Sequence, residues 1–183
     1  MNSQLNTFNP NTFDKQAGVL KRMLWHYIHI LFFESAWMPI MCIKLFLLRL
    51  FGAKIGKGLV IKPSVRIKFP WKLEIGDYVW LGEGCWLDNL DCIKIGNNVC
   101  ISQGALLLTG NHDYSISSFD YRNAPITLEN GVWIGARTVV CPGVVCKNHS
   151  ILTVGSIATK DMDAFLIYQG NPAQPLRKRI IKS

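Results

Sequence analysis

Two regimes of hydrophobic patterning divide the chain. From Leu20 to Phe51 large apolar residues crowd together, as in LWHYIHILFF and IMCIKLFLLRLF, interrupted by Glu34, Lys44 and Arg49 and split by Pro39. Within this segment the longest stretch without Asp, Glu, Lys or Arg runs from Met23 to Phe33. That is short of the ~20 residues a bilayer span needs. The pattern predicts two short helices, 19–36 and 40–51, the second closed by Gly52 as a C-cap. Beyond Gly52 the period becomes six. Aliphatic residues recur at Ile55, Ile61 and Ile67, at Ile75, Leu81 and Leu87, at Ile95, Ile101 and Leu107, and at Leu128, Ile134, Val140 and Leu152, with Cys146 and Ala158 in the remaining slots. Four positions after many of them stands a small or β-branched residue, among them Val79, Cys85, Val99, Ala105, Val132, Thr138, Val144, Ser150 and Ser156.

A period of six matches neither the helix nor a flat strand. It fits a chain that turns a corner every six residues, points its aliphatic residue into a triangular core, and stacks its coils as a parallel solenoid. Glycine following the aliphatic residue, at Gly56, Gly76, Gly82, Gly96 and Gly135, is expected to supply the tight corner. The repeat breaks twice. Ile95 follows Leu87 by eight positions instead of six, with Asp91 read in an inward slot, and between Leu107 and Leu128 the repeat gives way to TGNHDYSISSFDYRNAPIT. A long loop leaving a rigid solenoid is a place to look for function.

Composition narrows the setting. Hydrophobic residues make up 49% of the 183 and charged residues 17%, which excludes a disordered chain. The net charge of +8 suggests a negatively charged partner, yet no nucleic-acid motif accompanies it, and its densest run is Arg177, Lys178, Arg179 and Lys182. The first 18 residues are polar, without a secretory h-region, so a cytoplasmic location is expected. The six cysteines, with no CxxC among them, read as reduced thiols rather than disulfides or a metal site. The chain is expected to divide into a loose polar arm (1–18), an apolar helical segment (19–51), a solenoid (52–168) carrying the loop 108–127, and a basic tail (169–183).

The repeats, TGNHDYS, PITLENGVWIGARTVVCPGV and TKDMDAFLIYQGNPAQPLRKR together resemble the hexapeptide-repeat O-acetyltransferases, in particular those of colanic acid biosynthesis, over residues 20–183. The resemblance implies a homotrimer of left-handed parallel β-helices with active sites between subunits. It also implies transfer of acetyl from acetyl-CoA to a sugar hydroxyl in exopolysaccharide or capsule biosynthesis. By motif, His112 matches the catalytic histidine and the backbone N–H of Ala136 the oxyanion donor. Thr159 and Lys160 match residues beside CoA, and Arg177 one near its phosphates. Where the maltose and galactoside enzymes carry an acceptor-pocket asparagine this chain has Gly84, so their small-sugar acceptors do not carry over, and the neighbouring Glu83 is the substitute candidate.

The chemistry agrees with the assignment. A neutral hydroxyl attacking a thioester needs its proton removed, and an imidazole is the base suited to neutral pH. The thiol leaves readily, so no acyl-enzyme and no metal are required. Of the four histidines only His112 lies in the long loop; His26 and His29 sit on the apolar helix and His149 at a coil corner. Asp113 is a candidate to orient the imidazole or touch the acceptor, and Trp133 to wall the pocket. Rival readings are an antibiotic- or small-sugar-modifying acetyltransferase, a metal hydratase on the same fold, which would need three converging histidines, and a non-catalytic scaffold. The apolar helices are expected to cap the first coil, and the inner membrane surface is their other candidate contact, with Lys21, Arg22, Lys44 and Arg49 to meet anionic lipid.

Overall fold

A computed structural model describes residues 3–35, 37 and 39–182. From Lys54 onward the backbone winds through five complete coils and begins a sixth. The first holds β1 (Lys54–Ile55), β2 (Val60–Ile61) and β3 (Arg66–Ile67), the second β4 (Leu73–Ile75), β5 (Trp80–Leu81) and β6 (Trp86–Asp88). The third holds β7 (Ile93–Ile95), β8 (Cys100–Ile101) and β9 (Leu106–Leu108), the fourth β10 (Ile126–Leu128), β11 (Trp133–Ile134) and β12 (Val139–Val140). The fifth holds β13 (Val145–Cys146), β14 (Ile151–Leu152) and β15 (Ile157–Ala158); β16 (Leu166–Gly170) and β17 (Ala173–Lys178) close the chain. From β1 to β15 every third strand stacks in parallel, giving a first face β1-β4-β7-β10-β13, a second β2-β5-β8-β11-β14 that continues through parallel β16 to antiparallel β17, and a third β3-β6-β9-β12-β15.

The registers stack the expected aliphatic residues on one another. Ile55, Ile75, Ile95, Leu128 and Cys146 form one column, Ile61, Leu81, Ile101, Ile134 and Leu152 the second, and Ile67, Leu87, Leu107, Val140 and Ala158 the third. All but Ile55 are buried. Each Leu or Ile so withdrawn from water stabilises the fold by ~1.5–3 kcal/mol before entropy is counted.

The corner glycines act differently from expectation. A left-handed residue lies three positions before every aliphatic position except Ile75, Ile95 and Leu128, and is Gly52, Gly58, Gly84, Gly104, Gly131, Gly143 or Gly155, or else Ser64, Tyr78, Asn98, Arg137 or His149. Gly56, Gly76, Gly82, Gly96 and Gly135 are needed because coils stack closely there: a Cβ on Gly135 would lie 2.6 Å from the Leu152 carbonyl oxygen. Asp91 does not point inward either. The polar residue enclosed at that wider corner is Asn89, which accepts from the N–H groups of Lys68 and Phe69 and donates to the Phe69 carbonyl, while Asp91 is half-buried and holds the Cys92 N–H.

The apolar segment caps the first coil. α1 (Val19–His29) runs on through a wider turn at Ile30–Glu34, and α2 is Met41–Leu50. Trp25, His29 and Phe33, four apart, face the core. β3 pairs on one side only, and its edge is met by side chains of α1: the Trp25 indole N–H donates to the Ile67 carbonyl (2.9 Å) and the Ile67 N–H donates to His29 Nε2 (2.9 Å). Lys44, a candidate to meet anionic lipid, is buried with its Nζ over the Phe33 ring, and Lys21 sits over Trp71. The opposite side of α1 exposes Leu20, Met23, Leu24, Tyr27, Ile30 and Leu31. Among the described residues no helix is long and apolar enough to cross a membrane.

Both ends of the chain are more ordered than the composition implied. The polar arm is docked: Gln4 donates its N–H to the Ser117 carbonyl, Trp71 donates to the Lys15 carbonyl, and Lys72 reaches the carbonyls of Asp14 and Leu90. Apolar contacts of Phe8 and Phe13 with Tyr121 outweigh the polar average of the segment. The basic tail begins as a hairpin, β17 pairing antiparallel with β16, so its backbone groups are tied to the last coil.

Candidate active site

The edge between the third and first faces is the wide corner. A step of eight positions bridges it from Ile67 to Ile75 and from Leu87 to Ile95, and the loop bridges it from Leu107 to Leu128. Thr109 anchors the loop base: its hydroxyl donates to the Asp88 carbonyl and accepts from the Asp91 N–H. The loop then folds back on itself. His112 and Tyr121 form an antiparallel bridge, Asp113 donates its N–H to the Asp120 carbonyl, and Arg122 donates to the Asn111 carbonyl.

That fold-back fixes the histidine. The His112 ring stacks on Phe119 (centroids 4.5 Å apart) and Tyr121 (4.7 Å), and Phe8 of the arm leans on it at 5.6 Å. Its Nδ1 lies 2.7 Å from the Phe119 carbonyl oxygen. A carbonyl only accepts, so Nδ1 carries the proton and Nε2 keeps its lone pair. Asp113 is not the orienting group. Its carboxylate accepts from the Ser115 N–H and hydroxyl, and those two bonds hold its pKa below the usual carboxylate value. The arm residue Phe8 and the carbonyl of Phe119 escaped the sequence reading, since neither carries a chemical signature.

The edge between the second and third faces carries a second group. Register places Glu83, Gln103 and Ala136 in one column, each two residues beyond Leu81, Ile101 and Ile134. The Ala136 carbonyl accepts from Gly155, while its N–H makes no hydrogen bond among the described residues, the state an oxyanion donor requires; Glu83 and Gln103 share this feature, so the column is generic until a substrate selects one member. Glu83 lines a cavity of about 410 Å³ with Lys62, Trp80, Cys100, Ser102 and Gln103. Trp133, nearly half exposed, donates its indole N–H to the Ser102 hydroxyl at 2.9 Å, which fixes the ring beside that cavity.

Thr159 and Lys160 lie on the wide-corner edge two coils beyond the loop and line a cavity of about 210 Å³ closed by Gln174 and Pro175 of β17. Arg177, opposite Ile167 on β17, is two residues further and outside that lining. Within one chain, then, His112 and Asp113 stand on one edge, Glu83 and Ala136 on another with Trp133 on the face beside it, and nothing joins them directly. The cysteines are free, and burial pushes the thiols of Cys85 and Cys146 up to about 12, which leaves both inert near neutral pH. Among the described residues no group of three His, Cys, Asp or Glu side chains could hold a metal ion.

A parallel solenoid of three-strand coils, interrupted by a loop that carries a histidine, is the architecture of the hexapeptide-repeat acetyltransferases. The fold is that of a maltose O-acetyltransferase from Clostridium difficile 630 (TM-score 0.81, 22% identity, 89% of this chain and 88% of that one). It is also that of the Vibrio cholerae hexapeptide-repeat acetyltransferase VCA0836, solved in complex with acetyl coenzyme A (TM-score 0.82, 20% identity, 96% and 97%). No family model matches the chain. The chain is 39% identical over 166 residues, 90% of each sequence, to the Escherichia coli K12 protein designated a colanic acid biosynthesis acetyltransferase, WcaF, and it belongs to that family.

Proposed function

We propose that the protein transfers the acetyl group of acetyl-CoA to a hydroxyl of a sugar unit destined for a surface polysaccharide. The observation that carries the reading is the His112 imidazole, held by the Phe119 carbonyl with Nε2 left basic, on a loop that leaves the solenoid. In the proposed step Nε2 takes the hydroxyl proton as the sugar oxygen attacks the thioester carbon. The N–H of Ala136 meets the oxyanion of the tetrahedral intermediate. The C–S bond then breaks, the thiolate recovers the proton from the imidazolium, and the products are the O-acetyl sugar and CoA. Thr159, Lys160 and Arg177 serve the CoA side; Glu83, Asp113 and Trp133 serve the acceptor.

Because His112 and Ala136 occupy different edges of one solenoid, a site containing both needs a second copy, which supports a homotrimer of left-handed coils with shared sites. The exposed apolar side of α1 supports peripheral contact with the cytoplasmic face of the membrane. With Lys44 buried and Lys21 on Trp71, two of the four cations proposed to meet anionic lipid are withdrawn, and that contact would be mainly apolar. Co-sedimentation with vesicles should therefore persist at high salt, and no sedimentation would leave capping as the helices' one role.

Mass spectrometry of the host's surface polysaccharide, with and without the protein, tests the activity. Loss of an O-acetyl group from the repeat unit is expected, restored by the wild-type chain and not by His112→Ala. An unchanged acetylation pattern, together with no CoA release from acetyl-CoA by the purified protein in the presence of that polysaccharide's precursors, would overturn the reading.

A further inference from the structure

A cleft of about 390 Å³ opens where α1 meets the third face at the first two coils, bounded by Arg22 and His26 of α1, Arg66 of β3, Lys68 and Phe69 just after it, and Trp86 of β6. Its charge is one-sided. Glu34 is the one carboxylate in the lining and lies 3.4 Å from His29, and Lys68 is paired with Asp88 at 2.9 Å. Neither Arg22 nor Arg66 has a carboxylate within ion-pair distance among the described residues. The Nε of Arg22 is buried with no hydrogen-bond partner among them, a state that costs free energy unless something supplies an acceptor. The Arg66 guanidinium carbon lies 5.1 Å from the centroid of the Trp86 ring, and among the described residues its side chain makes no ion pair.

Two arginine forks without carboxylates, one with a buried donor unmet, match the oxygens of a phosphate. Position says which phosphate. Register runs Arg66, Trp86, Leu106, so the cleft begins about two strand spacings, ~10 Å, from the strand that enters the His112 loop. Lys160, on the proposed CoA side, follows β15, two further strands along the same face. The cleft therefore serves the acceptor's end of the molecule rather than the donor's.

We infer that Arg22 and Arg66, with Lys68 and His26 at the rim, form a phosphate cradle that grips the phosphate or diphosphate of a carrier-linked sugar and presents the sugar toward the His112 loop. This rests on the acetyl-transfer reading and names its acceptor class: a sugar still attached to a nucleoside diphosphate or to a lipid diphosphate.

The test is calorimetric titration of the full-length protein, without acetyl-CoA, with inorganic pyrophosphate, with UDP, and with farnesyl diphosphate set against farnesol. Pyrophosphate should bind, and Arg66→Gln and Arg22→Gln should each weaken it about tenfold or more with an unchanged thermal melt. Should Arg22→Gln loosen α1, Arg66→Gln, on an exposed strand position, carries the test alone. Tighter binding of UDP than pyrophosphate supports the cradle with a nucleotide carrier. Tighter binding of farnesyl diphosphate, with farnesol inert, supports it with a lipid carrier. Equal pyrophosphate affinity in wild type and Arg66→Gln overturns it. Because no turnover is read, absent binding leaves acetyl transfer standing, and binding by a protein that never releases CoA would strike the acetyl-transfer reading instead.

Discussion

The Nδ1 of His112 donates to the carbonyl oxygen of Phe119 across 2.7 Å, seven residues along a loop that doubles back on itself. The bond turns a mobile surface histidine into an oriented base with a defined tautomer. His112→Ala is expected to lower kcat ~10²-fold or more with little change in the affinity for CoA. Activity within threefold of wild type would remove His112 from the mechanism.

Phe8 presses on the same ring from the arm. An aromatic pair of this kind contributes ~0.5–1.5 kcal/mol. Phe8→Ala should therefore lower kcat/KM by at most about tenfold, while circular dichroism stays unchanged. Unaltered kinetics would show that the arm is packing and nothing more.

Lys160 and Arg177 are exposed cations on the proposed donor side. Charge-assisted bonds to phosphate are worth ~1.5–3 kcal/mol. Alanine at both positions should raise the KM for acetyl-CoA about tenfold or more and leave that for the sugar in place. A change confined to the sugar KM would reassign them.

Light scattering should give three times the 20.7 kDa chain. A subunit-mixing experiment reads the shared site directly. Chains carrying His112→Ala and chains carrying Trp133→Ala, each inactive alone, should recover part of the activity when refolded together. No recovery would place the working site within one chain.

His29 makes the helical cap sensitive to acid. Burial lowers its pKa below the ordinary 6.5, outweighing the opposing pull of Glu34. Its neutral Nε2 accepts from Ile67, and a protonated ring would lose that role. The unfolded chain therefore binds the proton more readily, and the His29 contribution is full above about pH 6.5 and declines as pH falls from there toward the folded-state pKa. Thermal melts at descending pH should show wild type losing more stability than His29→Gln, whose amide oxygen can still accept. Parallel curves would mean that the cap does not titrate.

The sequence by itself determined the solenoid, because a period of six admits one kind of backbone path and every aliphatic slot from Ile61 to Ala158 turned inward. It also determined the two helices and a break in the repeat, which lies between Leu108 and Ile126, since both are departures from that period. Only the tertiary structure decided what lies between coils. The stacked glycines have no turn to make; they leave room for the next coil's carbonyls, a demand from residues about twenty positions away. Asn89 rather than Asp91 is enclosed because the wide corner has its own geometry outside the repeat. Composition read the arm as loose because three or four contacts, Phe8 and Phe13 among them, outweigh a polar average. The orientation of His112 lay equally out of reach, because its partner is a backbone carbonyl, and every residue in the chain carries one.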